Sequence, residues 1–264
     1  MAVLTRYENL SPTALRVIGA VEEVRAFLTP ARGDPAVRFC LYAQGRTGST
    51  LLTSLLDSHP DITCPDEILR RPKVAPRTYL TRRARQATTR AFGFHVKCYQ
   101  LERFAGVTEQ GAFLDALEAD GWRLLHLRRE DLFAHAFSNA FAREIRRYHM
   151  TEVQAPSTAP RIGVDPSRIV TNIEKRLRWG AMERDALTGR DLFEIVYERD
   201  LLDPDARGAI LPKVLEWLGL RSDVSLATPL RKSVSRPPWE MIANGAEVRR
   251  AMEGAGLGHL VPEG

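Results

Sequence analysis

The sequence predicts an α/β protein whose central, mainly parallel sheet is flanked by helices in three P-loop-like layers. Three observations lead there. Short apolar runs at 37–43, 92–99, 122–127 and 192–197 read as buried strands. Helical stretches separate them, the alternation that yields parallel pairing with ligands at the carboxyl ends of the strands. And a glycine turn, Gly45-Arg46-Thr47-Gly48, carries the first run into an apolar helix.

Length and composition fit one substantial core. The chain has 264 residues, 44% of them hydrophobic, so 1–264 is expected to form a single domain. No apolar run approaches the ~18–20 residues of a membrane-spanning helix. The start, MAVLTRYENL, has no basic region followed by an apolar stretch, so no export signal is expected and the cytoplasm is the expected location. Cys40, Cys64 and Cys98 are odd in number and form no CxxC, which predicts reduced, buried thiols. The net charge of +5 points to an anionic partner. Much of it lies in a run without Asp or Glu, which includes Arg70, Arg71, Lys73, Arg77, Arg82, Arg83, Arg85, Arg90 and Lys97. Aromatic residues do not interleave with these charges and no nucleic-acid module is recognisable, so a positive rim around an anion-binding cleft is expected in place of a nucleic-acid surface.

The elements follow in order. Ser11-Pro12 caps and opens a helix within an N-terminal extension, 1–30, with Leu15, Ile18, Val21 and Leu28 as its apolar face. The strand 37–43 and the turn lead to a helix over about 50–58, stopped by His59-Pro60. The basic stretch 70–91 is helical or irregular, and helices are expected at 110–119 and 131–148. Residues 152–166, rich in Pro, Ser and Thr, read as a loop. A helix over 167–187 buries Ile169, Ile173 and Leu177, and another over 206–218 contains Pro212 as a kink. The last forty residues are expected to be mostly irregular.

A strand, a glycine turn and a helix opened by hydroxyl residues make an anion site, because helix-start N–H groups and the dipole both favour negative charge. Gly48 permits close approach, Arg46 can clamp oxygens with its planar fork, and Thr47, Ser49 and Thr50 supply hydroxyls. A nucleoside-triphosphate loop, GxxxxGK[ST], is the first alternative. It fails on Ala43 at the first glycine and Ser49 at the lysine, and the strand 122–127 leads into Arg128-Arg129 where a Mg²⁺-holding aspartate would stand.

RTGSTLL (46–52) followed by DSHPDI (57–62) resembles the phosphosulfate loop of sulfotransferases that use 3′-phosphoadenylyl sulfate (PAPS). WRLLHLRREDLFAHAFS (122–138) resembles that family's 3′-phosphate motif, a strand ending in arginine and then a helix serine. Arg128 or Arg129 is the arginine, with strand alignment favouring Arg129, and Ser138 the serine; the alternative is that the arginines pair with Glu130 or Asp131. Residues 193–220 resemble a structural segment of the family to which no chemistry attaches, and 228–244 resembles its late basic loop, with Arg231 and Lys232 as phosphate ligands. The likeness covers about 37–245 and is closest to bacterial enzymes of the trehalose sulfotransferase type.

The resemblance implies the sulfotransferase fold, PAPS as co-substrate, adenosine 3′,5′-bisphosphate (PAP) as product, and a small hydroxyl acceptor such as a sugar, glycolipid or glycosylated metabolite. A homodimer stays open. No metal is expected, since none of the six histidines stands at ligand spacing to carboxylates or cysteines. Arg46 would offset charge on the departing phosphate, and Glu67 is the implied base. His95 is its rival; with Lys97 it alternates onto one strand face, so that one could take the proton and the other hold the sulfate. The alternatives are a P-loop small-molecule kinase and a non-catalytic nucleotide- or polyanion-binding protein of the same fold.

Overall fold

The computed structural model describes residues 11–148, 161–230 and 237–262. These form two compact units, one drawn from Met1–Arg128 and Glu183–Thr228, the other from Arg129–Met182 and Pro229–Gly264.

The first unit holds the sheet. Strands β1 (Val37–Ala43), β2 (Ile62–Thr63), β3 (Ala91–Val96), β4 (Trp122–Arg128) and β5 (Leu192–Val196) pair in the order β2-β3-β1-β4-β5. Every pairing is parallel, as the apolar runs separated by helices require. Successive side chains of β1 face opposite ways. Phe39, Leu41 and Ala43 pack with Leu52, Leu55 and Leu56 of α2 (Ser49–Asp57) and with Leu211, Val214, Leu215 and Leu218 of α8 (Pro204–Leu218). On the other face the Tyr42 hydroxyl donates to Gln110 Oε1 of α5 (Gln110–Ala119), while Phe92 and Phe94 meet Trp122 edge-on. Helices therefore cover both faces, and the α/β class expected from the sequence is the one observed. Cys40, Cys64 and Cys98 are free and buried.

Several expectations are corrected. The strand expected over 92–99 ends at Val96, and Cys98 already begins helix α4 (Cys98–Ala105). Lys97, with its N–H donating to Gln100 Oε1 at 3.2 Å, is the helix's first flanking residue and lies just past the strand. In α1 (Pro12–Leu28), Ser11 caps as expected, accepting from Ala14 N at 3.2 Å, but Val21 and Leu28 of the expected apolar face are exposed. Polar contacts fix the helix's rotation instead. Glu23 is buried and accepts from Val74 N and Ala75 N, each at 2.8 Å, which satisfies donors at the start of α3 (Pro76–Arg85). Leaving that carboxylate in the interior without those donors would cost more than leaving a valine in water.

The expected basic rim is largely spent on pairing. Arg71 and Lys73 bind Glu22, Arg77 binds Asp120 at 2.9 Å, and Arg85 binds Asp34 at 2.9 Å. The sequence run holds no acids because its acidic partners come from other segments.

The second unit contains α6 (Leu132–Tyr148), most of α7 (Pro166–Leu187) and α9 (Gly245–Gly254). Its core joins Phe133, Phe137, Ile169, Ile173, Met241, Val248 and Met252. The C-terminal stretch expected to be irregular thus carries a helix and two 3₁₀ turns, Pro238–Met241 and Gly258–Leu260. Leu177, expected inside, is exposed; the face of α7 continues from Ile173 through Arg176, whose guanidinium lies over Trp179 at 5.5 Å. Among the described residues no helix is long and apolar enough to cross a membrane.

Candidate functional site

The loop that follows β1 occupies the carboxyl edge of the sheet's central strand. The chain leaves β1 toward β2 and β3 on one side and returns later to β4 and β5 on the other, so this edge is a topological switch point. Two residues of the loop are left-handed: Arg46 with φ 72° and Gly48 with φ 90°. Among the described residues Arg46 is the one non-glycine residue with positive φ. Thr47 between them has negative φ, and such alternation turns successive N–H groups toward one concavity, a nest for anions. Thr47 is buried and its hydroxyl donates to Gln44 O at 2.7 Å, so it braces the turn.

Gly48 is also the N-cap of α2, and no side chain caps that end. The first intrahelical bond there is Leu52 N to Gly48 O, which leaves the opening N–H groups at Ser49 and Thr50 outside the helix ladder. Ser49 is buried and Thr50 exposed. A Cβ on Gly48 would lie 2.6 Å from Cδ2 of Tyr197, so the close packing of that ring requires glycine. Tyr197 opens a π-helical turn, Tyr197–Leu201, that leaves β5. Asp200 holds the turn by accepting from Val196 N at 2.7 Å and from Arg199 at 2.8 Å. The segment 193–220, given no chemistry from sequence, thus contributes a ring against the loop; only its tyrosine after a strand could have signalled that.

Lys97, Glu67 and His95 come together beside the same loop. A Cβ on Gly45 would sit 3.2 Å from Lys97 Cε, 3.4 Å from Lys97 Nζ and 2.7 Å from the Tyr99 hydroxyl. The ammonium of Lys97 therefore rests against the loop backbone. Lys97 Nζ donates to Glu67 Oε1, and Gln100 Nε2 donates to Glu67 Oε2. Gln100 was not anticipated from sequence, because it lies in the unexpected helix α4. His95 is fully buried on β3; its Nε2 lies 3.3 Å from Ala43 O and its Nδ1 lies 3.1 Å from Asp66 Oδ1. Both partners can accept, so whichever nitrogen carries the proton donates to one of them, and the ring is engaged by the protein on both sides.

Asp66, Glu67 and His95 present ligand atoms within 4.8 Å of one another, a grouping that histidine spacing in the sequence did not reveal. Each already has a partner: the oxygens of Glu67 accept from Lys97 and Gln100, and the ring of His95 faces Asp66 and Ala43. An ion here would have to displace an ammonium from the same carboxylate.

Burial pushes Asp66 upward, but the hydrogen bond from His95 and the charges of His95 and Lys97 outweigh it and hold the carboxyl below its ordinary value of 3.8. A depressed folded value means that this contribution to stability is fully present above about pH 4 and is lost as pH falls through the lower, folded value. Asp66→Asn is therefore expected to flatten the acid limb of an unfolding-temperature-versus-pH curve. An acid limb identical to that of wild type would show that the Asp66–His95 pair contributes nothing there.

Arg128 ends β4 and its guanidinium grips Glu194 of β5, with Nε to Oε2 at 3.1 Å and Nη2 to Oε1 at 3.2 Å. That contact holds Glu194 below the usual carboxylate range, assisted by the Arg128 charge and against the effect of burial. Across the sheet the acid that meets Arg128 is thus Glu194, a partner distant in sequence. Asp131 caps α6, accepting from Ala134 N at 2.7 Å. Arg129 and Ser138 lie in the second unit, both half-buried, Arg129 ahead of α6 and Ser138 within it. Arg231 and Lys232 lie outside the described residues. His59 is structural, with Nδ1 accepting from Asp61 N at 3.0 Å and Nε2 3.1 Å from Arg221 O.

A cleft of about 620 Å³ in the second unit is lined by Arg161, Trp239, Arg249 and Arg250 among others. Arg161 donates to Glu240 O at 3.0 Å and the Arg249 guanidinium lies 5.2 Å from the Trp239 ring, so two of its cations already serve the local structure.

No family model matches the chain, and no curated protein does. Among solved structures, that of mouse sulfotransferase SULT7A1 complexed with PAP aligns over 92% of this chain and 93% of that one, with 14% identity and a TM-score of 0.45.

Proposed function

We propose that this chain is a PAPS-dependent sulfotransferase that moves a sulfuryl group to a hydroxyl of a small acceptor, of the sugar, glycolipid or glycosylated-metabolite class. One observation carries the reading. The nest at Arg46–Gly48 and the uncapped start of α2 are joined, at Gly45, to the Lys97–Glu67 pair. A glycine turn at a helix start with a carboxylate beside it, on one edge of the sheet, supports this reading, because in-line transfer between a phosphosulfate and a hydroxyl needs an anion cradle and a proton acceptor together.

In this reading the loop N–H groups, Arg46 and the hydroxyls of Ser49 and Thr50 hold the 5′-phosphosulfate. Arg129 and Ser138 serve the 3′-phosphate with Arg231 and Lys232, while Arg128 braces Glu194. The acceptor oxygen attacks sulfur; the new O–S bond forms as the bond from sulfur to the bridging phosphate oxygen breaks, and the electron pair leaves with PAP. Arg46 and Lys97 offset the charge that grows on the departing phosphate. The acceptor proton passes to Glu67, whose oxygens each accept one hydrogen bond already and keep a lone pair for another. Lys97 holds that carboxylate in place. His95 positions Asp66 and does not compete as base, because both its nitrogens face acceptors. No step calls for a metal ion.

Thermal shift tests the reading, since a ligand of the folded state raises stability by mass action. PAP without metal is expected to raise the melting temperature clearly more than ATP with Mg²⁺, and Arg46→Ala is expected to remove most of the gain. Equal stabilisation by ATP–Mg²⁺ would favour a kinase instead, and no response to PAP would end the proposal. PAP binding without turnover of PAPS across a panel of sugar and glycolipid acceptors would favour a non-catalytic binder.

A further inference from the structure

Glu183, near the end of α7, is 3% exposed, yet it accepts a hydrogen bond from Gln44 Nε2 at 3.0 Å. Gln44 is the first residue after β1, and its own carbonyl receives the Thr47 hydroxyl. Glu183 and Thr47 thus fix Gln44 from its two ends, at the root of the anion-binding loop. A carboxylate taken out of water is stable only beside donors or a positive charge. Gln44 provides one donor, and the second oxygen of Glu183, Oε1, has no hydrogen-bond partner among the described residues.

A group placed to supply the charge is His126. It lies on β4 in the same lateral row as Tyr42 of β1 and Glu194 of β5. Its Nε2 is 3.9 Å from Glu183 Oε2 and its Nδ1 is 3.9 Å from Glu194 Oε2, too long for hydrogen bonds and within ion-pair reach. Glu194 is in turn held by Arg128. Tyr42 and Cys98 also sense Glu183. Burial and then neighbouring negative charge, that of Glu183 included, push both upward, so they stay neutral and offer no compensation.

We propose that Glu183 is the positioning residue of the Gln44–Gly48 loop, and that a protonated His126, set between Glu183 and Glu194, is the charge that keeps it in place. Loss of that proton leaves Glu183 uncompensated, releases Gln44 and loosens the loop. The proposal rests on the loop being the nucleotide site, so it is tested both with and without nucleotide.

Without nucleotide, the His126 ring and the backbone amides of Arg46–Gly48 are followed by NMR between about pH 5 and about pH 8, the range of histidine titration. In wild type the loop amides are expected to shift with the His126 midpoint. Glu183→Gln, whose side-chain oxygen can still accept from Gln44, should lower that midpoint and uncouple the amides from it. A neutral His126 throughout, or a midpoint and amide response unchanged in Glu183→Gln, overturns the proposal. With PAP, wild-type affinity should fall roughly tenfold across the same midpoint, the size of effect that follows weakening of one charged hydrogen bond. Glu183→Gln should lack this component, keeping only the titration of the PAP phosphates common to all variants, and Glu183→Ala should bind weakly at every pH. Equal pH profiles in wild type and Glu183→Gln also overturn it. If wild type binds no PAP at all, the sulfotransferase reading fails, while the amide titration still decides the role of Glu183.

Discussion

Glu67→Gln is expected to lower sulfuryl transfer from PAPS by roughly 10²–10⁴-fold, the usual worth of a positioned general base, with PAP affinity close to wild type. Glutamine keeps the size and polarity of the side chain and can still accept from Lys97 through its one carbonyl oxygen. What it loses is basicity toward the acceptor hydroxyl. Single-turnover measurements separate this from a binding defect: the chemical step should slow while the dissociation constant of PAP holds. His95→Asn serves as the control. Because the His95 ring lies between Ala43 O and Asp66, its loss should disturb the position of Asp66 and stability more than the chemical step. Near-normal turnover in Glu67→Gln together with abolished turnover in His95→Asn would reverse the assignment.

Gly48→Ala is expected to weaken PAP binding by roughly ten- to a hundredfold and to lower the melting temperature. Two costs add. A non-glycine residue at φ 90° pays about 1–2 kcal/mol for a left-handed backbone. The new methyl would also stand 2.6 Å from the Tyr197 ring, so that ring or the loop must move. About 1.4 kcal/mol corresponds to a tenfold change in binding, and a moved loop loses N–H groups aimed at the anion. Calorimetric titration with PAP measures the binding term and a thermal melt the stability term. A melting temperature lowered without loss of affinity would show that Gly48 serves packing alone and that the nest tolerates distortion.

The loop could be read from sequence because its parts are adjacent in the chain: a buried strand, two glycines, an arginine and hydroxyls at a helix start. The sheet could be read for the same reason, each strand being one apolar run. What escaped depended on long-range partners. Whether Lys97 meets Glu67 is decided by the backbone turn at the end of β3, which an apolar run continuing through Val96 and Cys98 conceals. The part played by Glu183 was hidden because its partners, Gln44 and His126, come from β1's exit and β4. In α1, periodicity of apolar residues gave the wrong face because Glu22 and Glu23 bind the stretch 71–75, and buried acids with satisfied donors outweigh valines left in water. The C-terminal region was missed because Met241, Val248 and Met252 are too widely spaced to form one apolar run; they make a core only by packing on α6 and α7.

Arg46 occupies the conformation that glycine would take at no cost, at φ 72°. A left-handed arginine gives up about 1 kcal/mol of folding stability, so at this position the proposed binding role and robustness pull in opposite directions. A library selected only for heat resistance would be drawn toward glycine at 46 and would discard the guanidinium unnoticed; a library selected for turnover would keep the arginine and accept the strain. The fate of that codon under the two regimes would reveal which property the protein has been shaped to keep.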